Sequence, residues 1–493
     1  MKLQNVWALI LAGGVTAGAP SIALAQGSSA PAADAAAQTG DATQSSSSAQ
    51  EPVPAYGQEN APLPISENPP LSGLDLPSLE PHAAPLSYLQ PGATFSESAD
   101  SNAGTGLGAQ SFTSVSRALG SVALQRLWSH YDLALDYVGG IGYYSLKGQG
   151  LKSLQQMDVD QKITWKRGQL SVRDSFSYLP EGNFGGSYGS LGSQGIASLG
   201  STSFGLFANG AALGTLGLTP RILNVSVADI SENLSPKSAI TVAGGYAFTH
   251  FYGDVTSPNF IGSSQVSAQV GYNRTLSSHT QIALVYGYQG FDFSVLGTAF
   301  HSHVIQGMYG HRISGRMDLL LGAGPQITLL SFCQLFVGGQ CLTGTVPDTR
   351  IGVAGQARLR YKFPKTSLDM SYQRYETSGS GFFAGAQSDI ARLTVTRPLS
   401  RVWTAGADLG YSHNNRLQAA NGGIAANTYS YGFAGVVLHR AFGREFHGYT
   451  SYQFNELWFD QSFCQGTTPC NRISNRNVIT FGLDWTPRPI RID

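Results

Sequence analysis

Beyond residue 111 the chain alternates apolar and other residues with a period of two in segment after segment. In 240–248, Ile240, Val242, Gly244, Tyr246 and Phe248 share one face, while Thr241, Ala243, Gly245 and Ala247 share the other. The spacing recurs at Ile282, Leu284, Tyr286 and Tyr288, at Trp403, Ala405, Ala407, Leu409 and Tyr411, and at Ile479, Phe481, Leu483 and Trp485. Successive side chains of a strand point to opposite sides of a sheet, so each run predicts a strand with one apolar face and one small or polar face. In 350–363 the second face is cationic: Ile351, Val353, Ala357, Leu359, Tyr361 and Phe363 alternate with Arg350, Gln356, Arg358, Arg360 and Lys362. A soluble sheet would turn the apolar side to a core. A membrane barrel would turn it to lipid and hold the cations in a lumen.

The connections decide between these. Eight short turns join paired segments, near residues 129, 167, 236, 278, 315, 365, 400 and 444. Between the hairpins lie longer Gly, Ser and Asn-rich stretches at 146–154, 180–220, 253–260, 293–299, 332–348, 377–386, 413–426 and 459–473. Short turns at one end of every hairpin and long loops at the other are the pattern of outer-membrane barrels, periplasmic and extracellular respectively. Aromatic residues near strand ends, such as Tyr143, Tyr144, Phe251, Tyr252, Trp458 and Phe459, fit interfacial girdles. A soluble sandwich explains the aromatics as core but leaves the asymmetry of the connections without a cause.

On this pattern the chain resembles bacterial outer-membrane β-barrel proteins of the porin-like kind over residues 115 to 487. The resemblance implies an all-β fold, a transmembrane antiparallel up-and-down β-barrel. Eight hairpins and a final segment at 474–486 make seventeen candidate strands, and single-chain bacterial barrels are even-numbered. We expect about sixteen strands, demoting the weak segment SVALQRL, with eighteen as the alternative if the chain near Phe112 adds one. One departure stands out: such chains commonly end on an aromatic residue, whereas this one ends WTPRPIRID, and its last aromatic is Trp485.

Composition extends this picture toward the N-terminus. A lysine, an apolar run from Val6 to about Ala17 and small residues ending Ala23-Leu24-Ala25 predict a secretory signal peptide over residues 1–25. Residues 26–110, rich in Ala, Ser, Pro and Gln, bury too little apolar surface to offset the entropy of ordering and read as a disordered tether. The barrel takes 111–493. Charged residues make up only 12% of the chain and the formal net charge is zero, which excludes the basic stripe of a nucleic-acid binder. No run after the signal reaches the ~18 apolar residues of a spanning helix.

Candidate chemistry is sparse. Cys333 with Cys341, and Cys464 with Cys470, read as two disulfides within extracellular loops, because their spacings do not match a zinc knuckle and the chain is exported. The G-x-S-x-G string at Gly185–Gly189 lacks the strand-to-helix context of a nucleophile elbow. His301, His303 and His311 share one strand face without a readable Ser or carboxylate partner, so no catalytic residue, metal or cofactor is assigned. Arg350, Arg358, Arg360 and Lys362, with Asp369 and Gln373 on the returning strand, are candidate pore-lining residues that would tune ion preference. The resemblance implies a passive outer-membrane channel for small hydrophilic solutes, in contact with lipid and compatible with a homo-oligomer. The alternatives are a closed structural or polysaccharide-binding barrel and, behind it, a barrel hydrolase.

Overall fold

The computed structural model of the protein describes residues 69–74, 87–102, 112–146, 149–180, 220–252, 260–293, 296–333, 336–337, 340–341, 345–417, 426–464 and 472–492. The expected signal peptide, much of the 26–110 stretch and the long 181–219 connection lie outside the described residues.

The strands are β1 (Tyr88–Asp100), β2 (Thr113–Leu127), β3 (Tyr131–Tyr144), β4 (Gly150–Trp165), β5 (Gly168–Leu179), β6 (Arg221–Ser235) and β7 (Ser238–Phe251). They continue with β8 (Ser263–Ser277), β9 (Thr280–Phe293), β10 (Thr298–Ser314), β11 (Met317–Cys333), β12 (Phe336–Val337), β13 (Gln340–Cys341) and β14 (Thr345–Lys362). The last are β15 (Ser367–Thr377), β16 (Ala386–Pro398), β17 (Trp403–Arg416), β18 (Thr428–Ala441), β19 (Phe446–Phe459), β20 (Ile473–Trp485) and β21 (Ile490–Arg491). Strands β12 and β13 form a separate small hairpin. The other strands form one antiparallel sheet that closes on itself, because β1 pairs with both β2 and β20. Its wall has eighteen strands, β1–β11 and β14–β20.

Eighteen was the alternative count; sixteen was the preferred one. SVALQRL belongs to a full strand, β2, and the additional strand is β1, which lies upstream of Phe112 inside the stretch read as disordered. Its sequence, YLQPGATFSESAD, is polar enough to pass for a linker, and only pairing with β2 and β20 gives its backbone groups partners. The eight short turns all join the strand pairs expected of them.

The apolar face points outward. Ile240, Val242 and Tyr246, Ile282, Leu284 and Tyr286, and Phe481, Leu483 and Trp485 are exposed, and Ile351 and Val353 follow the same sense at 80% and 58% exposure. Their alternates, such as Thr241, Gln281 and Thr480, are buried. Such an inverted protein places its apolar surface against lipid, which fits a transmembrane barrel. Exposed Tyr131 and Tyr143 sit near opposite ends of β3, and twelve residues at about 3.3 Å each, tilted about 40°, span about 30 Å. That matches a bilayer core of about 30 Å. At the short-turn rim the exposed Trp165 donates through Nε1 to Glu232 at 2.7 Å, and the Arg440 guanidinium lies 5.1 Å from the Trp403 ring centroid. Both are aromatic residues with one wet and one apolar side. Polar groups on the outer face are satisfied within the wall: Asp174 accepts from Asn224 Nδ2 at 3.2 Å and from Ser226 Oγ, and Arg374 lies 3.5 Å from Asp389.

The seam between the first and last strands explains the unusual C-terminus. β1 pairs with β20 over Ala93–Asp100 and with β21 over Tyr88–Leu89, leaving residues 90–92 opposite Thr486–Pro489. Pro91, Pro487 and Pro489 have no N–H to give a ladder, so the proline-rich tail steps out and re-enters at Ile490. At the long-loop end the seam is pinned by Arg476 and Asp100, both almost wholly buried, with Nε 2.9 and 2.8 Å from the two carboxylate oxygens. Replacing Arg476 with Ala leaves a buried carboxylate unpaired, at a cost on the order of 3 kcal/mol. We expect the heat-induced mobility shift of the folded barrel on a gel to occur at clearly lower temperature in Arg476→Ala. The double change with Asp100→Ala recovers part of the loss.

Candidate permeation path

The polar faces of the wall strands converge on the lumen, and the structure sorts them into charge, a lodged segment and an aromatic mouth. On β14, Arg358 and Arg360 point inward with Gln356 and Ala354. Arg358 Nε lies 3.1 Å from both oxygens of Asp369 on β15, and Arg360 Nε lies 3.0 Å from Asp318 on β11. Two neighbours away, Arg392 Nε of β16 lies 3.0 Å from Asp408 on β17. The expected row of cations is therefore a set of charge-assisted pairs. Of the other expected residues, Lys362 closes the row at the short-turn rim, and Gln373 Oε1 is buried with no hydrogen-bond partner among the described residues. Arg350 stands apart near the long-loop end, half-exposed and 3.6 Å from Asp348.

The sequence reading missed the facing wall. Asp132 and Asp136 on β3, and Asp158 and Asp160 on β4, all have inward parity. Asp158 accepts from Gln156 Nε2 at 3.0 Å and Ser175 Oγ at 2.5 Å, and Asp160 lies 3.6 Å from Arg173. In a wall of eighteen, β3 and β14 are nine strands apart in either direction, so carboxylates confront the Arg358–Arg360 row across the lumen. The even spacing of aspartates in YDLALDY and MDVDQK carried the signal. What hid it was the distance in sequence between two halves of one cross-section.

Above the charges the ladder of the wall lapses. β14 pairs with β15 only from Gly355 to Lys362, while its first ten residues pair only with β11 among the described residues. The freed end of β15 turns into the lumen. Tyr375 Oη accepts from Gln306 Nε2 at 3.2 Å on β10, and Glu376 accepts from Thr328 Oγ1 on β11. The chain then makes a tight turn at Gly379–Gly381, where Gly379, Ser380, Gly381 and Gly385 all have positive φ. Glycine fills the three positions of larger positive φ, where a Cβ is crowded, and Ser380 takes the left-handed helical conformation at φ 52°.

This turn carries Phe382 and Phe383 into the mouth. The Phe382 ring lies 5.4 Å from Phe260, 5.2 Å from Tyr429 and 5.4 Å from Phe459, and Phe260 in turn lies 5.3 Å from Phe251. Phe251 belongs to β7 and Tyr429 to β18, again nine wall strands apart, so the rings bridge the mouth from side to side. Burying Phe382 and Phe383 is worth about 2 to 3 kcal/mol each, enough to hold the turn inward. At this end of the described residues the constriction thus comes from 375–385, while residues 181–219 lie outside them.

At the same end Asp460 closes the open end of the β18–β19 hairpin, accepting from the backbone N–H of Thr428 at 2.9 Å and of Asn427 at 3.0 Å. Partial burial works to raise its pKa, but these bonds and those from Ser462 outweigh it and hold the carboxyl below the usual range. Its stabilisation is present above the ordinary carboxylate range and is lost as pH falls through the depressed value. Cys464, just beyond, is disulfide-bonded. Cys470 and the side chains of Cys333 and Cys341 lie outside the described residues.

Nearer the short-turn end a piece of the N-terminal stretch lies inside the barrel. Leu71 packs on Ala283, Val285, Met308 and Leu320, and Leu74 packs higher up against the cluster that includes Val227, Ala243 and Val304. The Leu71 N–H donates to Asn273 Oδ1 at 3.1 Å, and the Ser72 carbonyl accepts from Thr241 Oγ1 at 2.9 Å and Gln269 Nε2 at 2.7 Å. The tether expected to lie outside the barrel is, in this part, lodged within it. Its Pro-Leu-Ser-Gly-Leu sequence has no periodicity to announce this.

The three histidines face outward. His301 and His303 meet Tyr288 Oη and Tyr286 Oη, each at 2.8 Å, and His311 stacks on Tyr309 at 6.1 Å. They belong to the aromatic surface of the barrel.

No family model matches the sequence, and no curated protein matches it. Among solved structures it is similar to Pseudomonas aeruginosa OccK2 (OpdF) in complex with glucuronate, at 10% identity and TM-score 0.40, covering 81% of this chain and 97% of that one. A BenF-like porin from Pseudomonas fluorescens Pf-5 gives 9% identity and TM-score 0.40, covering 82% and 99% respectively. The outer membrane protein opdK from Pseudomonas aeruginosa gives 9% and 0.39, covering 81% and 99%. These are likenesses of size and chain path alone.

Proposed function

We propose that this protein is a porin-like passive channel of the bacterial outer membrane for small hydrophilic solutes. One observation carries the reading: an eighteen-stranded closed wall, apolar outside, whose inner face carries amide, hydroxyl and charged side chains among its apolar clusters. Barrels of 16 to 18 strands leave room for an aqueous channel. Solutes cross by diffusion, the short-turn end opening to the periplasm and the long-loop end to the exterior. The charged walls facing each other orient a dipolar or zwitterionic solute, and the aromatic mouth limits its width. A filled mouth also favours a second reading, a barrel that is closed at rest and serves as a scaffold for its outer loops.

Single-channel recording in planar bilayers separates the two. Current steps are expected from the full chain, larger in Phe382→Ala because the central ring of the bridge is gone. Insertion without steps in either protein would sink the channel reading. Selectivity follows the charge pairs. Removing one unit charge changes the energy of an ion about 6 Å away by about 0.7 kcal/mol in water, or roughly threefold. Arg358→Gln, which leaves Asp369 unpaired, should shift the reversal potential in a salt gradient toward cations by about that ratio, and Asp158→Asn should shift it toward anions.

A further inference from the structure

The lodged segment shows what the lumen can bind. Its seat reads peptide chemistry: Asn273 takes a backbone N–H, while Thr241 and Gln269 both give to the next carbonyl. Beside these amides is an apolar pocket that holds a leucine. The wall is shaped for it. A Cβ on Gly310 would come within 2.7 Å of the Leu71 side chain, and one on Gly271 within 2.4 Å of Ser72 Cβ. Glycine at those two inward positions leaves the space in which the segment lies. The fit is nonetheless incomplete, since Ser72 Oγ and, in the same groove, Gln281 Oε1 are buried with no hydrogen-bond partner among the described residues. Unmade bonds of that kind favour exchange for a ligand that makes them. The groove also borders Asp318, Arg358 and Arg360, so a seated chain lies beside the charge row of the permeation path.

We propose that Thr241, Gln269, Asn273, Met308, Gly310 and Leu320 form a lumenal subsite for short extended peptides bearing an apolar side chain. In the resting protein the chain's own Pro70–Leu74 occupies it as a tethered stand-in. The proposal rests on the channel reading for its transport consequence, but the subsite itself does not need it. An incoming peptide competes with the segment for one set of partners, so a seated peptide and a seated segment exclude each other. Displacement opens the lumen for the solute that causes it.

Two measurements on the full chain test this. Leu71→Asp puts a carboxylate in the leucine pocket and should release the segment without touching the wall. With the subsite vacated, a fluorescent acetyl-Pro-Leu-Ser-Gly-Leu-amide should bind the detergent-solubilised Leu71→Asp protein at least tenfold more tightly than the wild type, measured by anisotropy. Binding should fall about tenfold when Asn273→Ala is added, and be lost with Gly310→Leu, whose folding is checked by heat-induced gel shift. In bilayers, Leu71→Asp should conduct more than the wild type, and the unlabelled peptide should interrupt its current in a concentration-dependent way. Equal peptide binding by wild type and Leu71→Asp, or binding indifferent to both Asn273→Ala and Gly310→Leu, overturns the subsite. Peptide binding that follows these variants while no protein conducts upholds the subsite and overturns the channel reading instead.

Discussion

Everything in this protein depends on closing one hydrogen-bonded ring. In hydrocarbon an unpaired backbone N–H or C=O costs several kcal/mol, so a sheet can cross a membrane only if its first strand finds its last. Here that contact is short, eight residue pairs from Ala93 to Asp100 with two more through β21. The proline-bearing segments on both sides of the seam have few N–H groups to leave unpaired. The buried Arg476–Asp100 pair fixes the register at the other end. The polar linker-like sequence of β1 is thus the part that converts a row of hairpins into a barrel.

Where the ring lapses, the structure spends the freedom on function. β14 and β15 separate above Gly355, and β15 enters the lumen with Tyr375 and Glu376 bonded to β10 and β11. The edge of β14 that has no ladder partner among the described residues lies toward the long-loop end, where water replaces lipid. The consequence is a mouth built from aromatic rings contributed by strands on opposite sides. A wall that remained fully paired would have carried residues 378–385 outward as an ordinary loop.

The lumen treats charge the same way, by local satisfaction. Arg358, Arg360 and Arg392 each meet an aspartate on an adjacent strand, which neutralises the cation without removing its dipole. Close pairs of this kind hold long side chains in a fixed geometry. The residual asymmetry comes from the aspartates of β3 and β4. It gives the lumen a direction, from acid on one side to paired base on the other.

By itself the sequence determined the local structure: period-two alternation specified nearly every wall strand, and the short turns, from WSH near 129 to FGRE near 444, specified the hairpins. It also placed Arg358, Arg360, Lys362 and Asp369 on a common face, because parity along a strand and across a turn is a local property. It left β1 unread, since Pro91 and Glu97 interrupt the outward run of Leu89, Ala93, Phe95 and Ala99, too weak an alternation to mark a strand. Only the tertiary structure brought Asp136 opposite Arg358, Phe251 into one aromatic bridge with Tyr429, and Leu71 against Gly310. Those meetings depend on the number of strands that close the ring and on which residues then stand half a circumference apart, and no period within a single segment encodes that count.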